Sequence, residues 1–236
     1  MRWKLDVGCS VLDVPIFPMK GLFITFEGTE GCGKSTQVEL LARRLTALGH
    51  RVRTLREPGG TPIGEEIRTT LKHSKNNEAM TAEAELLLMN ASRAQLVREV
   101  IRPALATGEA VLCDRFYDST TAYQGYGRQL DLRMVSSIID VAVGDTRPDL
   151  TLLFIVPHDV SEARRVARQP TLPLSIKRDR MEEADQSFFA RVAQGYQAIA
   201  AAEPERVQQF DATGDVAAIE AAIWRLVQPR MERVEK

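Results

Sequence analysis

The sequence predicts an α/β fold of three layers, in which a five-stranded parallel sheet is flanked by helices and carries a small lid segment. Three observations support this. Strand-like and helix-like stretches alternate from Leu22 to the end of the chain. The stretch 150–156 is almost wholly apolar, as a strand covered on both faces must be. The run Gly28-Thr29-Glu30-Gly31-Cys32-Gly33-Lys34-Ser35 fits Gly-x-x-x-x-Gly-Lys-[Ser/Thr] and stands between a strand and a helix, the context a phosphate-binding loop requires.

The elements follow in order. Leu22-Phe23-Ile24-Thr25-Phe26-Glu27 is short and rich in β-formers, and forms the first strand. After the glycine loop, Val38, Leu41, Leu45 and Leu48 recur at helical spacing until Gly49 closes the segment. Residues 51–55 are a second strand, running into the turn-rich Arg56-Glu57-Pro58-Gly59-Gly60-Thr61-Pro62 and then a helix over 63–71. Residues 81–106 read as one long helix with Leu86, Met89, Arg93, Leu96 and Val100 along one side. A third strand, 110–113, ends in Asp114-Arg115, and 131–143 is helical. The fourth strand is 150–156 and the fifth 207–210, followed by a closing helix over 216–227. Between 168 and 185 the pattern lapses into Gln169-Pro170-Thr171-Leu172-Pro173 and Lys177-Arg178-Asp179-Arg180, either a surface loop or a lid. Helical spacing resumes with Phe188, Val192, Tyr196 and Ile199.

With 236 residues and 44% hydrophobic content, the chain suits one well-cored domain, residues 19–236. Residues 1–18 read as a dispensable extension: Asp13 and Pro15 break their apolar run, so neither a signal peptide nor a membrane span fits. An added edge strand over 10–17 is the competing reading, weakened by Pro15 and Pro18. Lysine plus arginine number 31 against 32 acids, which gives no global reason to bind nucleic acid or an anionic membrane. Phosphate recognition must therefore come from locally placed arginines. The three cysteines, Cys9, Cys32 and Cys113, show neither a disulfide framework nor zinc spacing and point to a reducing, cytoplasmic setting.

The loop glycines let backbone N–H groups turn around a polyphosphate, helped by the helix N-terminus. Lys34 is placed to reach the β- and γ-phosphates of a nucleotide and Ser35 to ligate Mg²⁺. Asp114, ending an apolar strand, can hold the metal through water, and Arg115 directs a planar cation into the same crevice. A strand-terminal Asp-Arg pair is commonly only an ion pair; beside a phosphate loop it suits an anionic acceptor. Arg178 and Arg180 in the lid, with Arg164, Arg165 and Arg168 before it, suit closure over phosphates, although such a run is commonly a solvated face. Met89 and Arg93 stand one helical turn apart and, with Tyr123 and Gln124, can build a flat pocket with a hydrogen-bonding end. Cys32, beside a helix N-terminus, is expected to be a reactive thiol.

From Lys20 onward the chain resembles the bacterial thymidylate kinases. The match is carried by Phe26-Glu27-Gly28 through Lys34-Ser35-Thr36, Arg56-Glu57-Pro58-Gly59-Gly60-Thr61 and Ala91-Ser92-Arg93-Ala94-Gln95. It continues through Asp114-Arg115-Phe116, Asp118-Ser119-Thr120-Thr121-Ala122-Tyr123-Gln124-Gly125-Tyr126 and Arg147-Pro148-Asp149-Leu150-Thr151. The resemblance implies a P-loop fold, transfer of the ATP γ-phosphoryl group to dTMP with Mg²⁺, and a homodimer. It implies that Gly28, Thr29, Glu30, Gly31, Cys32, Gly33, Lys34, Ser35 and Thr36 hold the donor phosphates, and that Arg68 and Arg115 bind the acceptor phosphate. Glu30 then meets the sugar 3′-hydroxyl, with Glu57 nearby. Arg93 and Gln124 take the thymine edge beside Thr120, and Tyr123 packs under the deoxyribose, where a 2′-hydroxyl would collide. Catalysis falls to Lys34, Arg115 and a lid cation.

Some family members carry an arginine inside the phosphate loop and others supply it from the lid. With Gly31 and Cys32 in mid-loop, this chain resembles the second group, and Arg180 is the expected cation with Arg178 in reserve. The family's base-stacking aromatic is Met89 here. Two other readings stand beside this one: a kinase for another nucleoside monophosphate, and an inert nucleotide-binding regulator. Lys34, Ser35, Arg115 and Arg180 together argue against the regulator.

Overall fold

The computed structural model describes residues 21–74, 79–168 and 186–234. Five parallel strands form one sheet: β1 (Phe23–Gly28), β2 (Val52–Arg56), β3 (Ala110–Asp114), β4 (Leu150–Ile155) and β5 (Val207–Asp211), in the order β2-β3-β1-β4-β5. Each strand begins and ends within about two residues of its expected position. β1 is central, with Phe23 opposite Val111 of β3 and Ile24 opposite Leu150 of β4, and every one of its residues is buried.

The period of two along β1 sorts its side chains between two cores. Ile24 and Phe26 join Leu41 and Leu45 of α1 (Lys34–Ala47) and Ile219, Ile223 and Val227 of α9 (Val216–Val234). Phe23 joins Leu86 and Leu96 of α3 (Ala82–Leu96) and Val135 and Ile139 of α6 (Leu132–Val143). Thr25 and Glu27 share the second face, where polar side chains are buried, and each has a buried partner. A third cluster sets Tyr123 against Phe188, Val192 and Tyr196 of α8 (Gln186–Ala202).

Three departures from the expected elements have local causes. The single long helix is interrupted by a π-helical turn, Val97–Ile101, before α4 (Arg102–Ala106). Pro103 lies in the first turn of α4, where its missing N–H is tolerated, and the widened turn precedes its ring. α9 runs beyond 227 and contains Pro229, since Val227 and Met231 are buried on the sheet and packing outweighs one lost backbone bond. After β3 the chain forms a short helix, α5 (Tyr117–Thr120), and a π-helical segment, Thr121–Gly127, for which periodicity gave no signal.

The expected extension, 1–18, and its competing edge strand lie outside the described residues, as do Arg178 and Arg180 in the lid. Among the described residues no helix is long and apolar enough to cross a membrane.

Candidate active site

The carboxyl ends of β1, β2 and β3 converge with the N-terminus of α1. Gly28, Gly31 and Gly33 have φ of 133°, 76° and 97°, values that side chains rarely adopt. A Cβ on Gly28 would lie 2.4 Å from the Phe154 carbonyl oxygen, so the loop can leave the sheet only through glycine. Lys34 opens α1 and folds back across the loop, donating to the carbonyls of Thr29 (2.7 Å) and Gly28 (3.1 Å). One residue on, Ser35 Oγ donates to Asp114 Oδ2 at 2.9 Å, joining α1 to the end of β3. Two accessible oxygen donors of this kind suit a hard divalent cation that takes most of its other ligands from phosphates and water.

Cys32 departs from expectation. It is 1% exposed and packed with Phe26 and Phe154 in the core behind the loop, where Lys34 Nζ lies 3.5 Å from its sulfur. Burial, not helix polarity, governs its access. Cys113 is also buried, and burial pushes its thiol well above the ordinary value.

Beside the loop lies a cleft of about 240 Å³ lined by Gly31, Gly33, Thr36, Arg164, Ala212 and Gly214 among others. Arg164, on α7 (His158–Arg168), donates to the Ala212 carbonyl at 2.8 Å and closes one side. In the sequence Arg164 stands only within a basic run, and residues 212–214 carry no expected role. Their signal was the glycine-bearing turn Ala212-Thr213-Gly214 after β5.

On the other side of Asp114 is a buried polar cluster. Arg115 has φ of 71°; its N–H bonds Phe26 O at 2.9 Å, its guanidinium donates to Ser119 Oγ at 3.1 Å and lies 5.2 Å from the Tyr123 ring centre. Glu27, to which sequence reasoning gave no role, holds the turn after Arg115 in place. It accepts from Phe116 N (2.7 Å), Ser119 N (3.3 Å), Ser119 Oγ (2.5 Å) and Tyr196 OH (2.9 Å). Burial, reinforced by the Asp118 carboxylate and only partly offset by Arg115, pushes the Glu27 carboxyl up to about 7. Its sequence signal was a charge on the inward face of an apolar strand.

Arg93 is 2% exposed and engaged through all three guanidinium nitrogens. Nε donates to Glu57 (2.8 Å), Nη1 to Asn90 (2.9 Å) and Thr120 (2.9 Å), and Nη2 to the Phe116 carbonyl (3.2 Å). It therefore ties α3, the loop after β2 and α5 into one wall. Glu57 is buried, which raises its carboxyl while Arg93 holds it down, and its Oε1 has no hydrogen-bond partner among the described residues. Arg68 on α2 (Pro62–His73) donates to the Pro58 carbonyl at 2.8 Å, across the cis Glu57-Pro58 turn. Gln124 is buried, with Nε2 bonded to Glu85 at 2.9 Å. Met89 is half-buried one turn before Arg93, and Glu30 is half-buried at the loop.

The fold thus gathers the expected residues into two groups. Gly28 to Thr36 lie with Asp114 on one side. Glu57, Arg68, Met89, Arg93, Thr120, Tyr123 and Gln124 lie on the other, with Arg115 between.

A family model described as Thymidylate kinase matches residues 26–223. A thymidylate kinase of Geobacter sp. (strain M21) is 47% identical over 216 residues, 92% of this chain and 95% of that protein. One from Pseudomonas fluorescens (strain Pf-5) is 48% identical over 215 residues, 91% and 99% of the two chains. The crystal structure of thymidylate kinase from Ehrlichia chaffeensis superposes with a TM-score of 0.69 at 31% identity, covering 88% of this chain and 98% of that one.

Proposed function

The chain belongs to the thymidylate kinase family and transfers the γ-phosphoryl group of ATP to dTMP, giving dTDP and ADP, and we propose how its residues divide that work. One observation carries the division: the Ser35–Asp114 contact joins the donor loop to β3, and the next residue, Arg115, stands over Tyr123 on the acceptor side. The reacting phosphoryl group then lies between Lys34 and Arg115.

In this reading the N–H groups of Gly28 to Thr36 cradle the ATP phosphates and the cleft beside Arg164 and Gly214 takes the adenine. Ser35 and, through water, Asp114 would hold Mg²⁺, which supplies charge neutralisation at the phosphates. Lys34 leaves the loop carbonyls for the γ-phosphate, where its contact strengthens as charge develops. Arg68 and Arg115 fix the dTMP phosphate, Glu30 meets the 3′-hydroxyl, and Tyr123 packs under the sugar. Arg93, Thr120 and Gln124 face the thymine edge, Met89 its ring, and Glu57 keeps Arg93 in register. Arg180 of the lid completes the cation set from the lid side, as in the lid-arginine group.

Ile63 of α2, Leu87 of α3 and Val141 of α6 are 44%, 55% and 77% exposed on helices that pack side by side, which supports a homodimer through that layer. The reading includes a cytoplasmic enzyme, supported by two free buried cysteines among the described residues.

Purified protein assayed with dTMP, dUMP, dCMP, dGMP and AMP as acceptors tests this. dTMP-dependent ADP release with dTMP preferred supports it. Equal turnover of dCMP or AMP overturns the proposed base pocket, and hydrolysis that ignores dTMP overturns the division of roles.

A further inference from the structure

Gln124 faces the proposed base pocket from the π-helical segment, but its orientation is set from behind by Glu85. That carboxylate, on the first turn of α3, is 2% exposed. Its Oε1 accepts from Gln124 Nε2 at 2.9 Å and from Arg128 Nε at 3.2 Å, and its Oε2 accepts from Arg128 Nη2 at 3.1 Å. Arg128 is itself packed 4.9 Å from the Phe188 ring centre.

A carboxylate in an ion pair offers acceptors only, so the end of the Gln124 amide that meets it must be the NH₂. The amide is planar, and with its NH₂ on Glu85 it leaves the carbonyl oxygen for a ligand. We propose that Glu85 is a positioning residue that determines base specificity: it fixes Gln124 as an acceptor, so the pocket takes a base whose ring nitrogen carries a hydrogen and refuses one whose ring nitrogen is bare. Thymine and uracil have such an N3–H; cytosine presents a lone pair at N3. Against cytosine the Gln124 oxygen is left buried and unpaired, the arrangement that discriminates most strongly between close analogues. An amide free to turn over could instead donate to cytosine, and Glu85 removes that freedom.

This inference rests on reading Gln124 as a base-edge contact, and the experiment separates the two. The ratio of kcat/KM for dTMP to that for dCMP is measured on each preparation of wild type, Glu85→Gln, Gln124→Leu and the double variant. Because both substrates meet the same enzyme sample, the ratio is independent of the fraction folded. A glutamine at 85 can donate or accept, so Glu85→Gln is expected to narrow the ratio by about tenfold, mainly through KM. Glu85→Gln/Arg128→Gln, which removes both charges of the pair together, carries the same expectation and serves if the single variant does not accumulate. In the Gln124→Leu background Glu85→Gln should change nothing further. If Gln124→Leu leaves the ratio at the wild-type value, the base-edge reading of Gln124 fails. If Gln124→Leu narrows the ratio while Glu85→Gln preserves it, or if the two effects add, the role given to Glu85 is overturned and that of Gln124 stands.

Discussion

Arg93 and Glu57 meet in a buried ion pair, 2.7 Å between Nη2 and Oε2, that fastens α3 to the loop after β2. Removing one partner of such a pair strands the other charge away from water, at a typical cost of about 3–5 kcal/mol.

Arg93→Ala is therefore expected to lower unfolding free energy by about that amount, and Arg93→Ala/Glu57→Gln to recover at least ~1 kcal/mol of it by removing the stranded carboxylate. Urea denaturation of the three proteins measures both. A double variant less stable than Arg93→Ala would show that the two residues are not coupled as the geometry indicates.

Lys34→Ala should lower kcat at least ~100-fold with little change in unfolding midpoint, since one preorganised stabiliser of developing charge contributes on the order of 3–4 kcal/mol. Steady-state turnover beside a thermal melt checks it. Near-normal turnover removes the lysine from the chemistry.

Glu27 makes stability depend on pH. Its carboxyl rises from 4.5 to about 7 on folding, so between those values the folded chain holds a proton that the unfolded chain has released. Stability from this group is fully present below the unfolded value and declines as pH climbs through the folded one. Glu27→Gln lacks the titration, so its stability relative to wild type should improve by roughly 2–3 kcal/mol from about pH 5 to about pH 8. A difference that stays constant across that range sinks the assignment.

Arg180→Ala should reduce kcat more than ATP affinity, because a cation closing over phosphates acts mainly on the transition-state geometry. Arg178→Ala should do less. Single-turnover rates and nucleotide titrations separate the two. The opposite order moves the cation to Arg178, and no effect from either removes the lid from catalysis.

The sheet was legible because its strands are short apolar runs closed by turn residues, and the phosphate loop because its flanks are local in sequence. The loop residues, with Asp114 and Arg115, stand at the ends of such runs, and Ser35 and Asp114 meet as their elements imply. Glu27 and Glu85 were not legible. Glu85 lies in a stretch with Glu83 that reads as a solvated helix face, and partners far along the chain, Gln124 and Arg128, meet it in the interior. α5 and the π-helical segment were invisible for a related reason: Thr120, Tyr123 and Gln124 are held inward by Arg93, Phe188 and Glu85, which are distant in sequence. The break before α4 depends on one proline within an otherwise good helix, which periodicity does not register.

Gly31 limits what this chain can become. Besides its φ of 76°, a Cβ there would sit 2.6 Å from the Ser161 carbonyl oxygen of α7, so the loop leaves no room for any side chain at that position. An arginine at position 31 is thus closed to it as a single substitution. A side chain at this position would require α7 to move first, so the loop would be disturbed before any new charge was gained.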